Sequence, residues 1–303
     1  MYDLIIIGAG PAGLTAAIYG GRAGLKTLLL EMAVPGGQAG NTHLIENYPG
    51  FPDGISGPDL MELFLQQAQR WGAEFKTAQV TALEDDGDVK KVIAGGEVFT
   101  AKTVLVASGS KPKPLGIPGE KEFHGRGVSY CGTCDGPFFR DREIAVVGGG
   151  STALQETEFL RRFAKKINLI HRRDQFRGEN ILAERVKADE KVELFLNCEV
   201  KAIEGNGRVE RLRLYHNQTG EETEMPVEGI FFFVGYAPYT DFCHGVLNLD
   251  EQGNIVVAKR MAASRPGFFA AGDVVSKDFY QVATAVGEGA LAIKGVEEFL
   301  SVH

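Results

Sequence analysis

A strand-like run that enters a glycine-rich loop occurs twice in this 303-residue chain, 140 positions apart. The first copy lies at 2–13 and the second at 143–153. In each copy a second apolar run follows and ends 23 positions after the first glycine of the loop, at Glu31 and at His171. A strand, a helix and a strand at this spacing predict two βαβ units, each part of a parallel sheet.

Each half continues with short strand-like runs separated by turns, before a last apolar run at 103–109 and at 230–235. Both halves are therefore predicted to be a βαβ unit with an antiparallel appendage. The Pro-rich segment 111–118 cannot continue a strand or a helix, and we predict that it connects two domains. A second connector is predicted at 235–240. The fold class is predicted to be α/β.

The composition and the apolar runs argue against nucleic-acid binding, membrane insertion and secretion. The chain has 32 Lys and Arg against 40 Asp and Glu, a net charge of −8 that disfavours binding to nucleic acid. No stretch approaches the roughly 18 apolar residues of a membrane span, and the first residues lack the basic region of a signal peptide. We therefore expect a cytoplasmic protein with no membrane partner.

The first glycine loop predicts a dinucleotide site. Gly8, Gly10 and Gly13 follow a strand and precede a helical run, and Glu31 ends the next strand. In this context the glycines allow the backbone to approach a pyrophosphate at a helix N-terminus, and the acid accepts hydrogen bonds from ribose hydroxyls. The alternative, that the glycines only close an ordinary turn, does not account for the acid.

The second loop keeps Gly148 and Gly150, with Ala153 at the third position. It differs where the first unit has Glu31. Three arginines follow the second strand here: Arg172, Arg173 and Arg177. Guanidinium groups hold a ribose 2′-phosphate that a carboxylate would repel, so this site is predicted to bind NADPH. The alternative is a solvated basic surface.

Cys131 and Cys134 have the two-residue spacing of a redox dithiol. The same spacing could form half of a zinc site, but structural zinc takes four ligands. The remaining cysteines are isolated, and Cys198 is assigned to the strand-like run at 192–196. We predict no metal site and expect a catalytic disulfide, since four cysteines are too few for a disulfide scaffold.

Asp135 follows the second of these cysteines directly. It could be an ordinary turn residue. Reduction of a disulfide to two thiols also requires two protons, and a carboxyl group beside the dithiol could relay them. Its position next to Cys134 favours the role of acid.

These motifs together resemble the low-molecular-weight thioredoxin reductases, which belong to the FAD-dependent pyridine nucleotide-disulfide oxidoreductases. The resemblance covers essentially the whole chain. It rests on the two glycine loops and on the segments 36–38, 46–52, 131–135, 171–177 and 265–273.

The resemblance implies two Rossmann-like domains of the three-layer ββα type, with the NADPH domain inserted into the FAD domain. The FAD domain would comprise 1–112 and 244–303, and the NADPH domain with the dithiol would comprise 113–243. Further FAD contacts are implied at Gly37, Gln38, Asn47, Gly272, Asp273 and Gln281. Further NADPH contacts are implied at Ser151 and Thr152. Members of the family are usually homodimers, so a homodimer is expected.

The reaction implied by the resemblance takes electrons from NADPH through FAD to the Cys131–Cys134 disulfide. Cys134 would face the flavin, and Cys131 would attack the disulfide of thioredoxin or a thioredoxin-like partner. The dithiol must reach both the flavin and an outside protein, so we expect its domain to rotate.

The chain departs from the family pattern at Ser151–Thr152, at Gln155–Glu156 and at Tyr280. A ferredoxin or a reduced flavin is therefore an alternative electron donor. A small-molecule dithiol oxidase and a redox sensor without turnover are alternative functions.

Overall fold

The computed structural model describes residues 1–277 and 279–303 and divides into two compact units. The first unit comprises Met1–Lys111 together with Ala237–His303, and the second comprises Pro112–Tyr236. The chain therefore leaves the first unit once, builds the second, and returns.

The strands, in chain order, are β1 (Tyr2–Ile7), β2 (Thr27–Glu31), β3 (Glu74–Thr77), β4 (Val80–Asp86), β5 (Val89–Ala94), β6 (Glu97–Val106), β7 (Ser110–Pro112), β8 (Val128–Ser129), β9 (Glu143–Gly148), β10 (Lys166–His171), β11 (Val192–Leu196), β12 (Cys198–Glu204), β13 (Arg211–His216), β14 (Glu222–Pro226), β15 (Gly229–Phe233), β16 (Tyr236–Pro238) and β17 (Phe268–Ala270). The α-helices are α1 (Pro11–Arg22), α2 (Gly37–Gly40), α3 (Gly57–Arg70), α4 (Gly132–Asp135), α5 (Ser151–Leu160), α6 (Asn180–Lys187) and α7 (Val282–Leu300). Short 3-10 turns lie at Gly136–Phe139, Asp241–Cys243 and Lys259–Met261.

The sheet of the first unit has the order β3-β2-β1-β6-β5-β4, and β17 also pairs with β6. Strand β6 has two roles along its length. Its first residues pair with β5 in antiparallel fashion, whereas from Ala101 onward it pairs with β1 in parallel. The antiparallel appendage predicted for this half is therefore β4 and β5 joined to β6.

Helix α1 packs against α3 and α7 in the first unit. Its sequence is rich in small residues, which lets neighbouring backbones approach closely. A Cβ added at Gly289 of α7 would lie 2.3 Å from the carbonyl oxygen of Ala12, so α7 can lie against α1 only with glycine there. This contact brings α7 close to the first turn of α1.

The second unit repeats this plan. Its parallel sheet has the order β11-β10-β9-β15-β8, and β12, β13 and β14 form a separate antiparallel sheet. Residues of β9 alternate between two cores: Ile144 and Val146 pack with α5 and α6, and Ala145 and Val147 pack with the antiparallel sheet. Both faces of a parallel sheet are thus buried, as expected for this architecture. The predicted ββα layering is confirmed.

Two details of the sequence interpretation were wrong. The Pro-rich connector begins with a short strand, because Ser110–Pro112 pairs with Tyr236–Pro238 in a two-stranded ladder. Cys198 does not belong to the run at 192–196 but begins the next strand. Asn197 separates the two strands because its backbone is left-handed, with φ of 54°.

Within the residues that the structure describes, no helix is long and apolar enough to cross a membrane.

Candidate functional site

The first glycine loop, 8–13, is a tight turn with space for a ligand beside its backbone, and we call it the first cradle; the second glycine loop, 148–153, is the second cradle. Gly8 has φ of 102°, a conformation that L side chains rarely adopt. A Cβ at Gly13 would lie 1.8 Å from the carbonyl oxygen of Gly8, so no other residue fits there. Gly10 precedes α1 and provides no side-chain cap, which leaves N–H groups at the positive end of this helix available to an anion.

Glu31 lies at the edge of this cradle, as predicted. One carboxylate oxygen accepts a hydrogen bond from the N–H of Ala9 at 2.8 Å, and the other accepts from the N–H of Ala33 at 3.0 Å. These bonds fix the carboxylate at the end of β2, beside the glycine loop. Gly37 is also adjacent, because a Cβ there would lie 3.3 Å from the Cα of Gly10.

Gly272 and Asp273 lie beside the start of α1, since a Cβ at Gly272 would lie 2.9 Å from the Cβ of Ala12. The N–H of Gly272 donates to Glu288, and Lys277 forms an ion pair with the same carboxylate at 2.5 Å. Burial raises the pKa of Asp273, and Glu288 adds to this, whereas Lys277 opposes it. Lys277 and Glu288 belong to no motif in the sequence that points to this site.

Two predicted FAD contacts meet although 234 positions separate them: Nδ2 of Asn47 donates to Oε1 of Gln281 at 3.1 Å. Gln38 donates to the carbonyl oxygen of Ser110 at 3.0 Å and to its hydroxyl at 2.7 Å. The first unit therefore gathers its predicted site residues into a glycine cradle with Glu31 and Gly272–Asp273, and a polar pair of Asn47 with Gln281.

The second glycine loop has the same strand-loop-helix geometry. A Cβ at Gly148 would lie 2.5 Å from the carbonyl oxygen of Phe233 and 2.6 Å from the Cβ of Ala153. Gly150 precedes α5 without a side-chain cap, so this helix also presents free N–H groups. Ser151 and Thr152 form the first turn of α5, beside this loop.

The segment 177–179 is bonded to this loop. The N–H groups of Arg177 and Gly178 both donate to the carbonyl oxygen of Gly149, at 2.7 and 3.1 Å. The hydroxyl of Ser151 accepts from the N–H of Glu179 at 3.1 Å. Ser151 thus fixes the segment that contains Arg177 through a hydrogen bond to Glu179, a role that the sequence motif did not predict.

We call Arg172, Arg173 and Arg177 the arginine cluster. All three side chains are exposed, and none forms an ion pair with a carboxylate in the described part of the chain. His171 is buried beside them, with its ring against Gly149. Burial lowers the pKa of His171, and the charges of the cluster lower it further. Three exposed guanidinium groups beside an uncapped helix N-terminus suit a phosphorylated dinucleotide.

Cys131 and Cys134 form a disulfide, with Cα atoms 5.3 Å apart. Cys131 is half-buried and precedes α4, and its Sγ accepts a hydrogen bond from the N–H of Cys134 at 3.1 Å. Cys134 is exposed and Asp135 is half-buried. The other two cysteines, Cys198 and Cys243, are buried and free.

A buried carboxylate ties together two segments that precede the dithiol. Glu120 is 3 % exposed and accepts from the N–H groups of Leu115, Gly116 and Ile117. It also accepts from the hydroxyl of Tyr130, the residue before the dithiol, at 2.8 Å. Burial raises the pKa of this tyrosine, and Glu120 raises it further.

Sequence reasoning also missed Glu156, whose Oε2 lies against Gly132 in the dithiol helix. This oxygen is buried and has no hydrogen-bond partner. The sequence does contain a pattern that points to Glu156, because this residue shares a helical face with the buried Ala153 and Leu160, at spacings of three and four. An acid on an otherwise apolar face of this kind is unusual.

The residues fit the two dinucleotides implied by the sequence. The first cradle combines close-approach glycines, an uncapped helix and the carboxylate of Glu31 at the end of β2. The second replaces the carboxylate with the arginine cluster. At the third position of the first loop a side chain would collide with the backbone, because a Cβ at Gly13 would lie 1.8 Å from the carbonyl oxygen of Gly8. In the second loop Ala153 lies against Gly148, where a Cβ would lie 2.6 Å from that of Ala153.

Comparison with known proteins defines the class. Residues 2–289 match the pyridine nucleotide-disulphide oxidoreductases, and the chain belongs to this family. It is 45% identical over 301 residues to a thioredoxin reductase of Listeria innocua, covering 99% of this chain and 94% of that protein. It is also 45% identical over 302 residues to a thioredoxin reductase of Mycolicibacterium smegmatis, covering 99% and 97%.

Two solved structures are similar over their whole length. Thioredoxin reductase from Lactococcus lactis, described as the FR conformation, has a TM-score of 0.98 at 42% identity and covers 100% of both chains. Thioredoxin reductase from T. acidophilum has a TM-score of 0.94 at 33% identity and covers 100% of this chain and 99% of that one. The predictions of family, fold and an FAD- and NADPH-dependent oxidoreductase are confirmed.

Proposed function

We propose that this protein is a thioredoxin-disulfide reductase, in which the Cys131–Cys134 dithiol reduces the disulfide of thioredoxin or a thioredoxin-like protein. The observation that carries the proposal is the accessible disulfide at the start of a short helix, in the unit that also bears the second glycine loop. The names of the similar proteins above support the same acceptor.

We assign the two cradles to different dinucleotides. The first unit would hold FAD through the first glycine loop, Glu31, Asp273 and the Asn47–Gln281 pair. The second unit would hold NADPH through the second glycine loop and the arginine cluster. When bound, NADPH and FAD supply the two electrons that reduce the disulfide.

Cys131 is the nucleophile toward the partner protein in this proposal. The N–H of Cys134 donates to its sulfur, and a hydrogen bond of this kind stabilises a thiolate. The Cys131 thiolate attacks one sulfur of the partner disulfide, which breaks that bond, forms a mixed disulfide and releases the other partner sulfur as a thiolate. Asp135, when protonated, would provide a proton to that leaving sulfur.

Cys134 completes the exchange. Its thiolate attacks Cys131 Sγ, which restores the internal disulfide and expels the second partner sulfur. Both partner sulfurs end as thiols, with protons from Asp135 and from water. The partner therefore gains two electrons and two protons, and the dithiol loses the same.

The test is steady-state reduction of a thioredoxin disulfide with NADPH by the FAD-loaded enzyme. We expect Cys131→Ser and Cys134→Ser each to abolish turnover while FAD stays bound, because the proposed FAD contacts belong to the other unit. Cys198→Ser is the matched control, since this thiol is buried at the start of β12, and it should retain turnover. Normal turnover in either dithiol variant would overturn the proposal.

The electron donor is tested in the same assay. NADPH, NADH and a reduced ferredoxin are supplied separately, and anaerobic bleaching of the flavin is followed. We expect NADPH to bleach the flavin at far lower concentration than NADH. Bleaching by ferredoxin alone would replace NADPH as the donor while leaving the dithiol chemistry in place.

We further propose that the enzyme is a cytoplasmic homodimer that binds neither nucleic acid nor membranes. The net charge of −8 supports the absence of nucleic-acid binding. Light scattering after size-exclusion chromatography should give twice the mass of the chain, and cell fractionation should place the protein with cytoplasmic markers. A monomer at micromolar concentration, or recovery with membranes, would contradict these two points.

A further inference from the structure

The dithiol helix lies against a carboxyl group that the reaction described above does not use. A Cβ at Gly132 would lie 2.1 Å from Oε2 of Glu156, so this oxygen occupies the space that a side chain would take. The Cα of Gly132 is then within about 3.6 Å of Oε2, and the Cα of Cys131 is about 3.8 Å further along the chain. Glu156 thus lies within about 7 Å of the Cys131 backbone.

This region also contains polar atoms that lack partners. Oε2 of Glu156 and Oγ1 of Thr133 are both buried without a hydrogen bond. Thr133 is the residue after Gly132, so both atoms belong to the immediate surroundings of the dithiol. A carboxylate in such a place is poorly compensated, whereas the protonated carboxyl carries no charge to desolvate.

Burial raises the pKa of Glu156 to about 7, and the nearby N–H of Gly132 opposes the shift by a smaller amount. Titratable and charged groups are present on the elements packed around α5. They are Cys131, Cys134 and Asp135 on α4, Glu184, Arg185 and Lys187 on α6, Glu143 on β9, Lys166 and His171 on β10, and Glu158 on α5 itself. None of these charges contributes to the shift of Glu156. Strand β15 provides no charged group.

We propose that Glu156 is a positioning residue for the dithiol, and that its charge state controls how readily the Cys131 thiol ionises. With Glu156 neutral, Cys131 forms its thiolate readily and attacks disulfides. With Glu156 charged, the nearby negative charge opposes thiolate formation. The proposal depends on the proposed function only in that this dithiol is the reactive group.

The expected size of the effect follows from the distance. The thiolate charge resides on Cys131 Sγ, about 3 Å from the Cα, so its separation from Oε2 of Glu156 is up to about 10 Å. At an effective dielectric constant of about 20, two unit charges about 7–10 Å apart change each other's ionisation constant by roughly 15- to 50-fold. Solvent near the half-buried Cys131 reduces this, so we expect roughly 10- to 50-fold. Because the two groups titrate together, the profile of the wild type should show two coupled steps.

The experiment measures thiol reactivity and not thioredoxin turnover. The FAD-loaded enzyme is reduced with dithiothreitol, desalted without oxygen, and alkylated with iodoacetamide between pH 5 and pH 10. Peptide mapping gives the rate at Cys131. For Glu156→Gln we expect the ionisation step that belongs to Glu156 to disappear from the profile. Because roughly a tenth of wild-type molecules still hold a neutral Glu156 at pH 8, the variant should be alkylated roughly 5- to 9-fold faster than wild type at that pH. The two rates should be equal at pH 5.5, where Glu156 of the wild type is protonated.

Glu158→Gln is the matched control, because it removes the same charge from the same helix, where Glu158 pairs with Arg185 at 3.7 Å. It should retain the wild-type profile. Glu156→Asp keeps the carboxyl group and should retain both ionisation steps, with a smaller pH difference between them. This variant tests the proposal if Glu156→Gln does not fold. A wild-type profile without a step near the pKa of Glu156, or a Glu156→Gln profile identical to that of the wild type, would overturn the proposal.

Failure of this proposal differs from failure of the proposed function. If thioredoxin is not the acceptor, the alkylation profiles are unaffected. If Glu156 does not control Cys131, thioredoxin reduction still proceeds and only the profiles of the wild type and Glu156→Gln coincide at pH 8.

Discussion

Glu120→Gln should loosen the segment that leads to the dithiol. The carboxylate of Glu120 accepts four hydrogen bonds: Oε1 accepts from Leu115 N–H at 3.0 Å and from the Tyr130 hydroxyl, and Oε2 accepts from the N–H groups of Gly116 at 2.6 Å and Ile117 at 3.3 Å. A glutamine has one acceptor oxygen, so its amide NH2 group must face at least one of these backbone N–H groups.

The magnitude follows from this count. One charge-assisted hydrogen bond to a buried backbone N–H is lost, at a cost of about 1.5–3 kcal/mol. The remaining hydrogen bonds are made to a neutral amide group and no longer to a carboxylate, which roughly halves their strength. Because Glu120 is only 3 % exposed, solvent replaces little of this. We expect the local opening free energy to fall by about 4 kcal/mol or more, which corresponds to roughly 1000-fold faster exchange.

The assay is amide hydrogen exchange, followed by mass spectrometry on a peptide that contains 115–117. Glu122→Gln is the matched control, because Glu122 is exposed two positions away, and it should exchange like the wild type. Tyr130→Phe removes one of the four bonds and should give a smaller acceleration. Wild-type exchange in Glu120→Gln would show that the carboxylate does not hold this segment.

Three further predictions concern the cradles and the buried thiols. Replacing each residue of the arginine cluster in turn with a neutral residue should lower the affinity for NADPH roughly 10- to 100-fold per contact and leave the affinity for NADH unchanged. Fluorescence titration measures both affinities, and equal losses for the two nucleotides would refute the assignment. Gly13→Ala should abolish FAD retention after purification, since its Cβ would lie 1.8 Å from a carbonyl oxygen, whereas Gly287→Ala, at an open position of α7, should retain FAD; retention by both would contradict the cradle geometry. Cys243, whose pKa is raised by burial to about 12, should resist alkylation in the folded enzyme at pH 8, and rapid labelling of Cys243 would show that this core is open.

The outline of the fold was determined by the sequence. Two copies of a strand and glycine loop, each with a second strand ending 23 positions on, predicted the paired parallel sheets that the structure contains. This was possible because the spacing of a βαβ unit and the steric need for glycine are local properties. A redox dithiol of Cys131 and Cys134 was predicted for the same reason, since the two thiols are close in sequence.

Contacts between distant parts of the chain were decided only by the tertiary structure. Asn47 meets Gln281 across 234 positions, and Lys277 with Glu288 surrounds Asp273, without any local pattern that pairs them. The predicted functions of the individual cofactor contacts remain predictions.

The same limit explains Glu156. A sequence shows that an acid lies on an apolar helical face, but the pKa of that acid depends on what else packs there. Only the folded unit places Oε2 against Gly132 with no hydrogen-bond partner. Desolvation is a property of the whole local packing, so the chain alone specified the residue and the tertiary structure specified its chemistry.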